Sequence, residues 1–360
     1  MLRNGFFLLL IYSPWAMADP DQTMDRLFDM PLQELLNIKI TSATRHEENL
    51  ESVPASVTVY TREQVRALGI NKLADLMNFV PGFQTQKYDN DSTSKRLSSR
   101  GYSGSGAGRE VLFLLDGQRL NGDWNGGKES FSSIIDLEKI ERIEFIRGPG
   151  SAIYGSNAYL GVINLISQAS NEVHVSLATL RGNGTQTQAS AQWQAQVKSM
   201  QTQVFVNMIN DEGQRLKVLD PFKDDFVASR DPFSFKELYL KVKGENLNIA
   251  LYHSATQSEQ FYVSGFVSND ENVFDTTSSF VDVSYKSPLT QQWTLNSKLS
   301  LSKKRLDIAG LISPALPPNE LGIRGEIEEQ EPQAEITMSF KGDNGQKALL
   351  GAQWRRPKIT

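Results

Sequence analysis

The sequence predicts an α+β domain followed by a series of antiparallel strands that cross a membrane. Helix and strand signals are mixed from about residue 38 to 167, whereas strict alternation of apolar and polar residues begins after Glu172. The alternating runs reach the length of about 9–11 residues that a tilted membrane strand needs, and soluble strands are usually about half as long. Their connections are short and long in turn, as in outer-membrane β-barrels.

The N-terminus has the features of a secretory signal peptide. Arg3 precedes an apolar run from Phe6 to Ile11, and the segment ends in the small-x-small pattern Ala16-Met17-Ala18. We expect cleavage after Ala18. The apolar run is much shorter than the roughly 20 residues of a spanning helix, which favours export over anchoring.

The α+β domain is predicted from local start and stop signals. Thr61 is placed to cap a first helix that ends at Gly69, and a second helix from Lys72 to Val80 is stopped by Pro81. Strands are expected at Val57–Tyr60, Val111–Leu115, Ile143–Ile146 and Gly161–Ile166, with a short helix from Ile134 to Ile140.

About nine alternating strands follow the first domain. They are expected near residues 173–180, 186–197, 202–210, 235–243, 246–255, 278–287, 291–302, 333–341 and 346–355. Long polar connections are expected at Asp211–Phe233, Thr256–Asp275 and Lys303–Glu331. A soluble β-sandwich would also alternate and stays open as the alternative.

Composition narrows the classes of function. The net charge of −5 argues against a nucleic-acid partner. The chain has no cysteine and only three histidines, His46, His174 and His253. These numbers argue against a thiol nucleophile, a Cys/His metal site and an envelope hydrolase with a histidine base. We therefore expect no enzyme activity, no cofactor and no metal.

Four sequence blocks resemble the plug domain of TonB-dependent outer-membrane receptors. The segment Arg147-Gly-Pro-Gly-Ser-Ala-Ile-Tyr-Gly155, continuing to Ile166, resembles the closing signature of that domain. Leu137–Ile146 belongs to the same block, and three upstream blocks occur in the family's order and spacing at Leu73–Gly82, Arg100–Gly101 and Val111–Gly117. Leu160 departs from the pattern, because the family commonly has a glycine there, and we expect a local packing difference.

The resemblance implies a division of the chain into a signal peptide (1–18), an extended segment (19–44), a plug domain (45–168) and an incomplete antiparallel transmembrane β-barrel (172–360). Barrels of this family have about 22 strands, whereas about eight strands enclose only their own side chains. A plug of this size therefore needs more strands than the sequence shows. We expect that the chain is truncated or that a missing C-terminal barrel segment comes from a second polypeptide.

The resemblance also implies function, location and partners. It predicts a receptor in the outer membrane of a Gram-negative bacterium, exported through the periplasm. Such a receptor binds a scarce small molecule, such as a ferric siderophore or cobalamin, and imports it by TonB-coupled displacement of the plug. Its partners would be TonB with the inner-membrane motor complex, the ligand and outer-membrane lipid. The alternative is a secreted plug-like binding or signalling module without transport activity.

Candidate site residues follow from the resemblance and from their surroundings in sequence. The best match to the TonB box is the segment Ile38, Lys39, Ile40, Thr41, Ser42 and Ala43, whose alternating β-branched residues suit strand addition to a partner. A plain first plug strand is the alternative. Candidate ligand contacts in polar loops are Tyr88, Asn90, Ser103, Trp124 and Asn125. Arg100 and Arg147 are candidates for contacts between plug and barrel, and an ordinary solvated arginine is the alternative for Arg147.

Overall fold

The computed structural model describes residues 39–40, 48–49, 56–87, 95–102, 109–123, 135–167, 173–181, 184–220, 223–263, 266–267, 269, 271–311, 322–343 and 346–360. The signal peptide expected at residues 1–18 lies outside the described residues. None of the helices within these ranges is long and apolar enough to cross a membrane.

The first domain, which we call the plug, is built on a five-stranded sheet. Its elements are β1 (Lys39–Ile40), β2 (Glu48–Asn49), β3 (Ser56–Thr61), α1 (Arg62–Ala67), α2 (Leu73–Met77), β4 (Phe83–Lys87), β5 (Lys95–Ser99), β6 (Val111–Leu115), β7 (Gln118–Arg119), β8 (Ile140–Arg147), α3 (Ser151–Tyr154) and β9 (Gly161–Ser167). The sheet order is β3-β8-β9-β6-β7. Strands β6 and β9 are parallel, and the other neighbours are antiparallel.

Local signals account for the start and end of the first helix. Thr61 and Gln64 form a capping box: the backbone N–H of Gln64 donates to Thr61 Oγ1 at 3.4 Å, and the backbone N–H of Thr61 donates to Gln64 Oε1 at 2.9 Å. Gly69 follows the helix with a φ of +67°, which favours glycine. The predicted cap and stop are both confirmed.

The short helix expected from Ile134 to Ile140 is wrong over its described residues. Asp136 forms an isolated bridge with Lys72, residues 137–139 turn, and β8 begins at Ile140. The Asp136 carboxylate accepts a hydrogen bond from the backbone N–H of Glu138 at 2.8 Å. An aspartate that bonds to the backbone in this way offers the chain a turn in place of a helix.

The second domain is a 10-stranded antiparallel sheet, which we call the wall. Its main strands are β10 (Val173–Arg181), β11 (Thr185–Val197), β12 (Met200–Asp211), β15 (Phe233–Lys243), β16 (Leu247–Glu259), β19 (Val273–Pro288), β20 (Trp293–Leu311), β21 (Gly322–Lys341) and β22 (Lys347–Arg355), hydrogen-bonded in that order, with β23 (Lys358–Ile359) paired to β21. Two hairpins lie in its long connections: β13 (Lys217–Asp220) with β14 (Asp225–Ala228), and β17 (Tyr262–Val263) with β18 (Phe266–Val267).

The alternation of the wall places polar side chains towards the plug and apolar side chains outward. Buried polar residues on the inner face include Gln192, Gln203, Asn207, Glu237, Ser254, Ser278, Ser300 and Gln333. Exposed apolar residues on the outer face include Val175, Trp193, Val206, Leu238, Leu251, Val283, Leu299 and Ile336. A sheet with a polar concave side and an apolar outer side is the arrangement of a transmembrane barrel.

The outer apolar band has a defined height on β20. It begins at Trp293, whose ring lies 4.9 Å from that of Phe340, and it ends at Leu301, after which Lys303 and Arg305 are exposed. At about 3.3 Å per residue this stretch is roughly 26 Å long, which at the usual strand tilt of about 35–45° covers roughly 20 Å of height, most of the apolar band of about 25 Å in outer-membrane barrels.

The connection expected from Lys303 to Glu331 is wrong in extent. Strand β20 continues to Leu311, and β21 already begins at Gly322. The charged residues in these segments alternate with apolar ones, so they continue the strands in place of forming a loop. The other two expected connections are also partly ordered, since they contain the two hairpins and β16 extends to Glu259.

The hydrophobic core extends across both domains. All five residues of β6 are buried, as its uninterrupted apolar sequence predicts. Leu73, Phe113 and Phe145 of the plug belong to one cluster with aromatic residues of the wall. These wall residues are Phe205, Tyr239, Tyr252 and Phe280.

Candidate functional site

The candidate functional site is the interface between the plug and the wall. Three separate groups of buried charged residues lie along it. The first group begins at Asp116, which follows β6 in a two-residue hairpin turn with Gly117. Both residues have positive φ, 49° and 78°, as a type I′ turn requires, and Asp-Gly suits this turn.

In this first group, which we call the Asp116 cluster, one plug carboxylate accepts four hydrogen bonds, two of which come from the wall. Lys241 Nζ donates to Asp116 Oδ2 at 2.8 Å, and the hydroxyls of Tyr239 and Ser167 each donate to the same oxygen at 2.5 Å. The backbone N–H of Ser167 donates to Oδ1 at 3.0 Å. Asp116 and Ser167 belong to the plug, and Tyr239 and Lys241 belong to β15.

The surroundings of Asp116 keep it ionised. Burial raises the pKa of this carboxyl, but the Lys241 ammonium and the hydrogen bonds from Lys241, Ser167 and Tyr239 outweigh burial and hold the pKa below its usual value. The cluster is therefore a charged contact between the domains.

The second group, which we call the Lys139 socket, holds a plug lysine inside the wall. Lys139 Nζ forms an ion pair with Glu237 and lies 5.2 Å from the centroid of the Phe205 ring and 6.0 Å from that of Tyr252. A carboxylate and two aromatic faces are suitable partners for a desolvated ammonium.

Asp136 lies three residues before this lysine and also contacts the wall. The side-chain amide of Gln188 donates a hydrogen bond to Asp136 Oδ2. Burial raises the pKa of Asp136 to about 6, and the hydrogen bond from the Glu138 N–H and the charge of Lys139 oppose this rise only in part.

The third group, which we call the Arg355 cluster, lies against β20, β21 and β22. The Arg355 guanidinium donates to Asp123 Oδ1 of the plug at 3.0 Å and to Glu331 Oε2 of the wall at 2.5 Å. Lys304 Nζ donates to the carbonyl oxygen of Asn121 at 2.8 Å, and the Asp123 N–H donates to Glu329 Oε2 at 2.8 Å. At this contact the plug contributes the Asp123 carboxylate and backbone groups, and the wall contributes both acidic and basic side chains.

A cavity of about 720 Å³ separates the plug from the wall beside the Asp116 cluster. Plug residues on its surface include Asp116, Arg142 and Asn164, and wall residues include Gln203, Lys241 and Lys298. Polar and apolar atoms contribute about equally to its lining, and the polar ones include charged and amide groups of both domains. Such an interface can exchange protein hydrogen bonds for water when the plug moves, at lower cost than an apolar core.

The described residues carry no arrangement suited to metal chemistry. No group of three or more His, Cys, Asp or Glu side chains within the described ranges could hold a metal ion. The arrangement can hold the plug in place and let it separate from the wall.

Most of the predicted site residues cannot be placed. Tyr88, Asn90, Ser103, Trp124 and Asn125 lie outside the described residues, as do Ile38, Thr41, Ser42 and Ala43 of the candidate TonB box. Lys39 and Ile40 form β1, which pairs antiparallel with Glu48 and Asn49 in β2.

The two predicted arginines lie together at one place in the plug. Arg147 Nη1 donates to the carbonyl oxygen of Pro81 at 3.3 Å, and a Cβ added at Gly82 would lie 3.6 Å from its Cδ. A Cβ added at Gly148 would lie 3.3 Å from Arg100 Nη2. Both side chains therefore join two turns of the plug. Their contact with the barrel stays a prediction.

Sequence reasoning missed the residues that connect the domains. Glu237, Tyr239 and Lys241 stand on the face of β15 opposite Leu238 and Leu240, so alternation alone marks them as inward-facing. Polar side chains on the inner face of a membrane strand are the sequence signal that could have identified these contact residues.

Comparison with known proteins agrees with this architecture. Residues 49–162 match the family model described as the TonB-dependent receptor plug domain. The vitamin B12 transporter BtuB of Vibrio vulnificus is 31% identical over 223 residues, which cover 62% of this chain and 33% of that protein. The chain thus spans about a third of this relative's length.

Solved structures of low sequence identity share the fold. A ferric enterobactin receptor, PfeA of Pseudomonas aeruginosa, has a TM-score of 0.62 at 16% identity, over 85% of this chain and 50% of that one. The siderophore receptor PiuA of Acinetobacter baumannii has a TM-score of 0.65 at 15% identity, over 91% of this chain and 49% of that one. The ferric yersiniabactin uptake receptor FyuA of Yersinia pestis has a TM-score of 0.60 at 17% identity, over 85% of this chain and 49% of that one. These relatives are transport receptors and not enzymes.

Proposed function

Because this chain is a TonB-dependent receptor plug domain joined to part of the barrel, we propose that it serves in the outer membrane as a receptor that imports a small ligand. The proposal extends to TonB-coupled displacement of the plug. The single observation that carries it is the polar and partly open contact between plug and wall. A domain that never moved would gain more stability from an apolar interface than from buried ion pairs.

The membrane location is supported by the outer face of the wall. Its exposed apolar side chains, for example Val175, Leu177 and Leu350, would be costly in water and are suited to lipid. A secreted plug-like module, the alternative function, would leave this surface in water. We therefore favour the outer membrane, reached through the periplasm.

The coupling segment is proposed to be the TonB box at Ile38–Ala43. Lys39 and Ile40 are in extended conformation in β1, which suits pairing with a strand edge of TonB. The five-stranded sheet of the plug begins after this segment and β2, at its edge strand β3, so a pull on the segment would be transmitted to an edge of that sheet. The inner-membrane motor complex would supply the force.

The ligand is proposed to be a scarce small molecule of the kind named for the relatives, vitamin B12 or a ferric siderophore. Tyr88, Asn90, Ser103, Trp124 and Asn125 remain the proposed contacts on the plug. Arg100 and Arg147 remain proposed contacts between the plug and the barrel.

The test is uptake by Gram-negative cells that lack their own receptors for vitamin B12 and ferric enterobactin and that make the full-length protein. Uptake of either ligand only when TonB is present would support import by this route. Equal uptake without TonB, or recovery of the protein in soluble periplasmic extracts, would contradict it and favour the secreted module.

A further inference from the structure

The short turns of the wall carry a surplus of positive charge. The turns and strand ends at residues 197–200, 243–247, 286–293 and 341–347 contain five lysines, whereas their acidic residues are Glu245 and Asp343. Because neighbouring wall strands are antiparallel, these four turns lie at one end of the sheet. Short turns face the periplasm in outer-membrane barrels, which makes this the periplasmic end in the proposed membrane location.

Two of these lysines face the inside of the wall. Lys243 lines the cavity between plug and wall, and Lys286 lies two positions after Ser284 of β19, which lines the same cavity. Successive side chains of a strand alternate between its faces, so Lys286 is on the inner face with Ser284. Tyr285, between them, is exposed on the outer face.

Two more lysines form a like-charge pair on the same face. Lys341 is in phase on β21 with Glu335, which lines the cavity, so it also belongs to the inner face. Lys347 of β22 is paired directly with Lys341 and shares its face. Like charges directly opposite each other destabilise a sheet, and an anionic partner would relieve their repulsion. We call the four exposed residues Lys243, Lys286, Lys341 and Lys347 the lysine rim.

Deeper lysines on the inner face already have anionic partners. Lys241 donates to Asp116 of the plug at 2.8 Å. Lys298 lies 3.2 Å from Asp282 and donates to the carbonyl oxygen of Gly117 at 3.1 Å. The inner face therefore pairs lysines with carboxylates near the plug, and the lysine rim continues it towards the periplasm with an excess of cations.

The same chain supplies an acidic segment. Residues 19–37, which we call the leader, follow the expected cleavage site and directly precede the proposed TonB box. The leader has one cation, Arg26, and five carboxylates. These are Asp19, Asp21, Asp25, Asp29 and Glu34. The leader lies outside the described residues, so its charge is taken from the sequence.

The chain between the leader and the plug is long enough to reach the rim. Twenty-two positions separate Glu34 from Ser56, the first residue of β3, and this length extends to about 70 Å before the pairing of β1 with β2 shortens it. A tethered partner has an effective concentration of roughly a millimolar or more. Ion pairs at exposed lysines are individually weak, but several of them acting at this concentration hold a segment in place.

We infer that the lysine rim binds the acidic leader of the same chain. The inference rests on the proposed function, which puts the rim in the periplasm where the leader enters the receptor. Binding of the leader keeps the proposed TonB box at the periplasmic end of the wall. The attraction joins exposed charges, so salt weakens it, with a screening length of about 10 Å at 0.1 M ionic strength.

The test measures the distance between two spin labels in the full-length protein in detergent micelles. Residues 1–360 contain no cysteine, so Gln33→Cys in the leader and Ser199→Cys in the turn between β11 and β12 give two defined labelling positions. At low salt we expect one narrow distance population from pulsed electron spin resonance. Sodium chloride at about 0.5 M should reduce that population about threefold or more.

Charge variants of the labelled protein test the two partners separately. We expect Lys341→Gln with Lys347→Gln, and independently Asp25→Asn with Asp29→Asn, to reduce the narrow population about threefold or more. The matched control is Lys223→Gln with Lys236→Gln, which removes two exposed lysines towards the other end of the wall and should leave the population unchanged. Thermal unfolding checks the wall variant, and the leader variant alters no residue of the wall.

Three results would overturn the inference. They are a broad distance distribution in the parent at low salt, a narrow one that neither salt nor the charge variants alter, and one that becomes narrow only after the periplasmic domain of TonB is added. The last would assign the rim to that partner. TonB-dependent uptake with any of these results would leave the proposed import intact, whereas a bound leader without TonB-dependent uptake would support the rim and contradict import.

Discussion

Lys139 of the plug and Glu237 of the wall form an ion pair in which the two side chains are only 1% and 0% exposed. The Lys139 ammonium lies against the rings of Phe205 and Tyr252, both buried. A charge in such a site depends on its partner, because water cannot replace the partner when it is removed. Removal of either partner would therefore leave a buried, unpaired charge between plug and wall.

We expect Lys139→Met to loosen the plug by about 3–5 kcal/mol, because it leaves the Glu237 carboxylate buried without its cation. The double variant Lys139→Met with Glu237→Leu should recover a large part of that loss. Hydrogen exchange of the β8 and β9 amides measures the free energy of opening in each variant. A double variant no more stable than Lys139→Met alone would show that the pair is not coupled in this way.

The Asp116 cluster should control leakage through the protein. Lys241→Met removes the cation that keeps Asp116 ionised, so we expect the plug to separate more readily and planar-bilayer conductance to rise. Lys243→Met is the matched control, because Lys243 lines the same cavity two residues along β15. Equal conductance of the two variants would contradict a specific role for Lys241.

The pKa of Asp116 also fixes a pH window for this contact. The folded-state pKa lies below the ordinary value of 3.8, so the contribution of the cluster is fully present above about pH 4 and is lost as the pH falls through the lower folded value. Conductance of the parent protein should therefore be independent of this group near neutral pH.

The ionisation of Asp136 should make the stability of the fold depend on pH with the sign opposite to that of Asp116. Its folded-state pKa of about 6 exceeds the ordinary 3.8, so the folded protein holds this proton more tightly than the unfolded chain does. Stability should fall as the pH rises from about 4 to 6, by roughly 3 kcal/mol for a shift of this size, and stay lower above that range.

The variant Asp136→Asn removes this titration. We expect it to lack that part of the slope in thermal unfolding of the protein between about pH 4 and 7. Glu138, Lys139 and Glu237 lie close enough to affect the pKa, so the difference between parent and variant is the quantity to compare. A difference that does not change with pH would show that Asp136 is not perturbed by burial.

Sequence predicted those parts of the fold whose causes are local. The Thr61 cap needs only Gln64, and β6 follows from one uninterrupted apolar run. The turn at Asp136 was missed because its other partners, Lys72 and Gln188, are distant in sequence. The extension of β20 was missed because two adjacent lysines, Lys303 and Lys304, are typical of a loop. The sequence alone does not show that their side chains lie on opposite faces of the sheet.

The same reason explains what was missed in the site. Alternation marks Lys241 as inward-facing, but its pairing with Asp116 depends on how the plug sits within the wall. No spacing along the chain encodes that arrangement. Arg355, which bonds to Asp123 across more than half the chain, illustrates the same limit.

Glycine at position 161 should stabilise the plug, because the backbone of β8 approaches it closely. A Cβ added there would lie 2.6 Å from the carbonyl oxygen of Ile146 and 3.0 Å from Phe83 Cζ, and the backbone of β8 cannot yield as a flexible side chain would. We expect Gly161→Ala to lower the free energy of unfolding by about 1–3 kcal/mol. Gly325→Ala, where the added Cβ meets nothing within 4 Å, should be nearly neutral in thermal unfolding. Equal losses at both positions would contradict a specific role for the close approach at Gly161.

Deletion of Ile38–Ala43 should separate binding from transport. The segment is proposed to carry force and not to touch the ligand, so we expect TonB-dependent uptake to be lost while binding of the same ligand to whole cells stays at the parent level. A control that keeps the length and replaces all six residues by glycine and serine should lose uptake as well, because side-chain pattern and not length makes the segment suitable for strand addition. Unchanged uptake after either change would remove Ile38–Ala43 from the mechanism, and loss of binding would mean that the segment supports the fold of the plug through the pairing of β1 with β2.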